Sequence, residues 1–115
     1  MTLYHIASEA DWARARMEGE YTADSLKTQG FIHCSTRAQV IDVANALFRG
    51  RTDLVLLLMD ESRLHAPVRY ENLEGGTRLF PHLYGAFNLD AVVQVLPFRP
   101  DAEGRFRLPE ETSGQ

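Results

Sequence analysis

The sequence predicts an α+β domain built on a mixed, partly antiparallel sheet of about five to six strands with two main helices. Three observations carry that expectation. The first is an unbroken apolar run, Asp53-Leu-Val-Leu-Leu-Leu-Met-Asp60, of strand length between acidic residues, the pattern of a central strand covered on both faces. The second is a helical spacing of Val40, Val43, Ala44 and Leu47 behind a hydroxyl residue. The third is that strands and helices do not alternate regularly along the chain, as a doubly wound parallel sheet would require.

Taken in order, Leu3 to Ile6 is a short β-prone run. Ser8 followed by Asp11 three residues later opens a helix through Trp12, Ala15 and Met17, ended by Gly19. Tyr21 to Gln29 reads as a turn or short helix, and Gly30 releases the chain into a second strand, Phe31 to Cys34. Ser35 or Thr36 caps the next helix; Gln39, three residues after Thr36, completes a capping box, and Gly50 stops the helix after about Phe48. Val68 to Glu71 forms another strand, Gly75-Gly76 marks a flexible loop, Phe80 to Gly85 reads as a rigid aromatic turn, and Ala91 to Phe98 is the last strand. A domain over residues 1–98 is expected, with a partly ordered tail from 99 to 115 rich in Pro, Glu, Gly and polar residues.

At 115 residues with 44% hydrophobic composition the chain holds enough apolar material for a real core. A formal net charge of −4 argues against a broad nucleic-acid face, because such faces work by clustered Lys and Arg. The single cysteine excludes an intramolecular disulfide, and the chain shows neither a leader pattern nor an apolar run long enough to span a bilayer. A cytoplasmic protein with a small-molecule or nucleotide ligand and no membrane partner is expected, a monomer with a weak dimer as the alternative.

Polar chemistry concentrates in two stretches, "GFIHCST" at 30–36 and "FPHLYG" at 80–85. Side chains alternate across a strand, so His33 shares a face with Phe31 and Ser35 while Ile32 and Cys34 turn away. Cys34 is expected to be packed rather than reactive, and His65, in a polar turn, to lie on the surface. A zinc site is disfavoured because no closely spaced histidine pair is present. Imidazoles, hydroxyls and a carboxylate around an aromatic cleft suit acid–base work or recognition of a ribose-like or phosphate ligand. His5, His33, Ser35, Thr36 and Tyr84 are the candidate ligand-binding residues, and His82, Glu71 and His33 the candidate catalytic ones. The competing expectation is a noncatalytic module whose polar residues form a structural hydrogen-bond network.

"LYHIAS", "GFIHCST" with Gln39, "VRYE", "FPHLYG" and "LDAVV" together resemble a bacterial family, the domain of unknown function family 952, from Leu3 to about Phe98. That family's fold is similar to the ADP-ribosyltransferase superfamily, whose split sheet holds nicotinamide adenine dinucleotide (NAD). The resemblance implies NAD as a possible cofactor and a possible transferase activity. It implies that His5 holds a ribose, that Ser35-Thr36 with His33 borders the nicotinamide, and that His82 falls near the late-strand glutamate of many members. Two departures stand in this sequence: Ile6 follows His5 where a glycine is common, and His82 occupies the glutamate position.

Overall fold

The computed structural model describes residues 1–72 and 76–109. Gly75, half of the expected glycine loop, lies outside the described residues. The chain runs β1 (Thr2–Ser8), α1 (Glu9–Glu18), β2 (Glu20–Tyr21), α2 (Asp24–Thr28), β3 (Ile32–His33), α3 (Arg37–Leu47), β4 (Leu54–Asp60), β5 (Val68–Glu71), β6 (Phe80–Leu83), β7 (Phe87–Asn88) and β8 (Val92–Phe98).

The strands form two three-stranded sheets, β1-β4-β8 and β3-β6-β5, and a small ribbon, β2-β7. The architecture is α+β, but the expected mixed sheet is corrected: every pairing among the described strands is antiparallel. No parallel crossover is built, because the helices connect strands of different sheets instead of returning the chain to a neighbour in the same one. The two main sheets meet where Tyr4 and Ser35 exchange N–H···O bonds of 2.8 Å in both directions.

β4 occupies the centre of its sheet and is covered on both faces, as its apolar run requires. Leu57 and Met59 enter one core with Leu3, Ile32, Cys34, Leu83 and Phe87. Leu54, Leu56 and Leu58 enter a second, with Val40 and Ala44 of α3 and with Leu96, Phe98 and Phe106. Phe106, in the stretch read from sequence as tail, stacks on Phe98 at 4.7 Å, and its backbone is clasped by Asn45 through bonds of 2.8 and 3.3 Å.

The helix boundaries follow local chemistry. Ser8 accepts the Asp11 N–H at 3.0 Å, and Gly19 takes the left-handed conformation that ends α1 (φ 87°). Thr36 is the N-cap of α3 and forms the capping box with Gln39, whose Oε1 accepts the Thr36 N–H at 3.1 Å. Substituting Thr36→Ala is expected to cost about 1 kcal/mol, read as a lower urea midpoint at unchanged slope; an unmoved midpoint would remove the cap from the account.

Two elements differ from expectation. Phe80 to Leu83 is the central strand β6, not a turn, with Leu83 and His82 opposite Ile32 and His33, and His82 opposite Arg69. Pro81 is accommodated because its carbonyl accepts the Cys34 N–H at 3.1 Å while its position calls for no donor. The ribbon joins Tyr21, read as part of a turn, to Phe87; both are fully buried, and their rings stack at 4.5 Å.

Candidate functional site

The junction between the two sheets and α3 encloses a cavity of about 870 Å³. His5, His33, Ser35, Glu71 and His82 line it, and so do Ile6, Phe31, Phe80, Val43, Leu47 and Phe48. Segments distant in sequence therefore bring three imidazoles to one hollow. The three rings are not equivalent.

His5 is 7% exposed, and both of its nitrogens are engaged. Nδ1 lies 2.6 Å from the His33 carbonyl, which can only accept, so Nδ1 carries the proton. Nε2 lies 2.9 Å from the Tyr21 hydroxyl and accepts from it. This is a neutral imidazole, and burial pushes its pKa down to about 4. The same burial raises the Tyr21 hydroxyl pKa. As folded, His5 leaves no ring nitrogen for a ribose hydroxyl. It ties β1 to β3 and to the ribbon.

His82 is 5% exposed and is built differently. Its ring stacks on Phe31 at 4.1 Å and 23°, and Nδ1 lies 3.0 Å from Glu71 Oε1. The same oxygen accepts the Tyr84 hydroxyl at 2.5 Å. These two bonds, Tyr84 first, hold the Glu71 carboxyl below its ordinary pKa, and Glu71 in turn raises that of Tyr84. An ionised carboxylate only accepts, so the His82 proton sits on Nδ1 and Nε2 keeps its lone pair. Among the described residues Nε2 has no hydrogen-bond partner. A carboxylate fixing the tautomer of an imidazole, whose other nitrogen is left available, is the arrangement of a general base.

His33 is exposed, sits directly opposite His82 and meets it edge to face at 5.6 Å. Phe31 touches both rings. Gln29 Oε1 accepts from His33 Nε2 at 2.5 Å. Gln29 reaches it because Gly30, at φ 87°, turns the chain back between them. Ser35 is 5% exposed; its backbone is fixed by Tyr4, and its hydroxyl has no partner among the described residues. Arg78 also lines the cavity, half exposed, 3.6 Å from Asp42 and with its guanidinium 5.5 Å from the Phe80 ring centre.

Thr36 and Tyr84, expected in the ligand site, are absent from the lining. Thr36 is spent on the cap, and Tyr84 stands behind Glu71 under the Arg69 guanidinium at 5.3 Å. Cys34 is buried and its thiol pushed up to about 12 by desolvation, an inert packed group as its strand face predicts. His65 is exposed. Sequence reading missed Gln29, Arg78, Phe80, Val43 and Leu47 of α3, and Phe48 at the C-cap of α3 as cavity walls. For Gln29 the spacing Gln-Gly-Phe-Ile-His was the available signal; for α3, its amphipathic stripe read only as core. Among the described residues no group of three or more His, Cys, Asp or Glu could hold a metal ion, and no helix is long and apolar enough to cross a membrane.

The fold and the cavity define an antiparallel split-sheet α+β protein with a carboxylate-oriented histidine at a ligand-sized hollow. The chain matches, over residues 6–95, the family described as "Protein of unknown function (DUF952)", and it belongs to that family. It is similar to protein CC0527 from Caulobacter crescentus. The crystal structure of CC0527 superimposes with a TM-score of 0.85 at 32% identity, covering 94% of this chain and 95% of that one. The solution structure of CC0527 gives 0.75 at 32% identity over 90% of each chain. No curated protein matches the chain.

Proposed function

We propose that the cavity binds a nucleotide or another ribose-containing small molecule, and that His82 acts as a general base on one of its hydroxyls. The observation that carries this reading is the pairing of His82 Nδ1 with Glu71 while Nε2 stays unpartnered, among the described residues, at a cavity of about 870 Å³. A hollow of that size holds a mononucleotide comfortably. Phe31 and Phe80 offer aromatic surface for a planar base, Ser35 a hydroxyl without a partner among the described residues for a sugar, and Arg78 positive charge for a phosphate. With both nitrogens of His5 engaged, NAD held through that residue, as in an ADP-ribosyltransferase-like transferase, is the less favoured form of the ligand.

The His5 bonds favour the noncatalytic account for that residue alone: a buried imidazole with both nitrogens used is a structural tie. The same account extended to His82 and Ser35 would require partners that the described residues do not supply.

Thermal denaturation with adenosine and uridine monophosphates tests the proposal. A ligand at a hundred times its Kd stabilises by about 2.7 kcal/mol, a readily measured rise in melting temperature. The His82→Gln and Ser35→Ala variants should melt near the parent and lose that rise. A purely structural cluster predicts instead a loss of roughly 1–3 kcal/mol in the variants and no ligand response in the parent.

A further inference from the structure

Two imidazoles, rather than one, line the cavity, each oriented by a neighbouring side chain that also borders the hollow. His82 on β6 is held by Glu71 of β5 at 3.0 Å, and His33 on β3 by Gln29 at 2.5 Å. The two are direct cross-strand partners. Phe31 lies 4.1 Å from one ring and 4.8 Å from the other, so a single side chain fixes both planes. The partners differ in a way that assigns roles. Glu71 is ionised and stabilises the imidazolium formed when His82 Nε2 takes up a proton, which marks His82 as the base; Gln29, whose carbonyl accepts from Nε2, steers the His33 ring.

We infer that His82 and His33 are the base and the acid of one reaction, the internal displacement at phosphorus in a ribonucleoside 3′-phosphodiester. The inference rests on the ribose-ligand reading above and names its substrate class. His82 Nε2 removes the proton of the ribose 2′-hydroxyl as that oxygen attacks phosphorus. The 2′-O–P bond forms, the P–O bond to the 5′-oxygen of the following nucleoside breaks, and protonated His33 gives its proton to that departing oxygen. The products are a 2′,3′-cyclic phosphate and a free 5′-hydroxyl. The protons on the two histidines then exchange with water, and no further reactant is needed. This class uses what the cavity offers: two proton-transfer groups side by side, Arg78 for the charge on the non-bridging oxygens, and a nucleophile carried by the substrate. The net charge of −4 restricts the substrate to short oligonucleotides or dinucleotides, since no broad cationic face tracks a long backbone.

The test uses the full chain, uridylyl-(3′,5′)-adenosine, its 2′-deoxyuridine analogue, and uridine 3′-(4-nitrophenyl phosphate). The wild type should release adenosine and leave the cyclic phosphate, and should bind the deoxy analogue without cleaving it. His82→Gln should slow both cleavable substrates by about 100-fold or more. His33→Ala should slow the dinucleotide by a similar factor yet spare the nitrophenyl ester to within about 10-fold, because nitrophenolate departs without a proton. His33 is exposed, so its variant folds, and melting curves on the His82 variant separate lost catalysis from lost structure. Binding of the deoxy analogue with no cleavage of the dinucleotide by the wild type would overturn the acid–base pair and leave the ligand reading standing. Failure to bind either would overturn both. Equal losses on both esters in His33→Ala would remove His33 as the acid.

Discussion

Between pH 6.5 and about 4 the protein is expected to lose roughly 3 kcal/mol of stability through His5 alone. The folded chain holds this imidazole neutral with a pKa near 4, whereas the unfolded chain releases it to its ordinary value of 6.5. Above 6.5 neither state binds the proton, and the full stability is present. As the pH falls below 6.5 the unfolded state takes up a proton that the folded state refuses, so unfolding is favoured until the pH reaches the folded value. Each pKa unit of difference is worth about 1.4 kcal/mol, which sets the total. The refusal comes from burial, which outweighs the opposing pull of the His33 carbonyl, a hydrogen bond that favours the protonated ring. Urea unfolding across this window should show the decline in the parent and a flattened profile in His5→Gln, which starts from a lower stability at pH 7. A variant that keeps the parental slope would move the effect to another group. Carboxylates held low in the folded state, such as Asp60 and Asp101, act in the same direction but mainly below pH 4.

The second large effect belongs to Leu57→Ala, expected to cost about 3–4 kcal/mol. Leu57 has no exposure, lies in the middle of β4 and sits opposite His5 on one side and Val95 on the other. Truncating it removes buried apolar surface and leaves a hollow between rigid strands, which cannot close over it without shifting a whole sheet. Met17→Ala on the outer face of α1, where the side chain is 88% exposed, provides the contrast and should stay within about 0.5 kcal/mol. Equal urea midpoints for the two variants would refute the two-sided core. Because Leu57 is the direct cross-strand partner of His5, its loss should weaken the acid sensitivity described above, so the two substitutions are expected to be coupled rather than additive.

Much of this fold was legible because its signals are local. The apolar run of β4, the Thr36–Gln39 box, the Gly19 stop and the alternation of Phe31, His33 and Ser35 each depend on a few neighbouring residues. What escaped depends on pairing. Two-residue strands such as β2 and β7 have no periodicity to detect, and Tyr21 and Phe87 are strand residues only because they face each other. β6 was hidden by Pro81, which discourages a central strand unless the neighbour asks it only for a carbonyl, as Cys34 does. The antiparallel pairing of every described strand follows from which ends the connections join, a property no single stretch encodes.

The candidate site was legible by residue type and not by role. The sequence brought forward His5, His33, Ser35, Glu71 and His82, and all five border the same cavity. It did not distinguish the histidine whose nitrogens are both consumed from the one that keeps a nitrogen in reserve. That difference turns on Tyr21, sixteen residues after His5, and on Glu71, eleven before His82. Tyr84 was recognised as part of the cluster, yet it bears on the cavity from behind, through Glu71 and the Phe31 ring.

The reciprocal pair of bonds between Tyr4 and Ser35 gives the hollow its mechanical character. Tyr4 is anchored in the α3 core while Ser35 borders the open space, so spreading the walls would mean shearing a rung continuous with the most tightly packed layer of the molecule. On the ligand reading proposed above, a guest would find this part of the wall already in place and would surrender little disorder there on the protein's side. Selection among guests then falls to fit against stiff walls, and close analogues differing by one bulky group should be turned away at the entrance rather than accommodated.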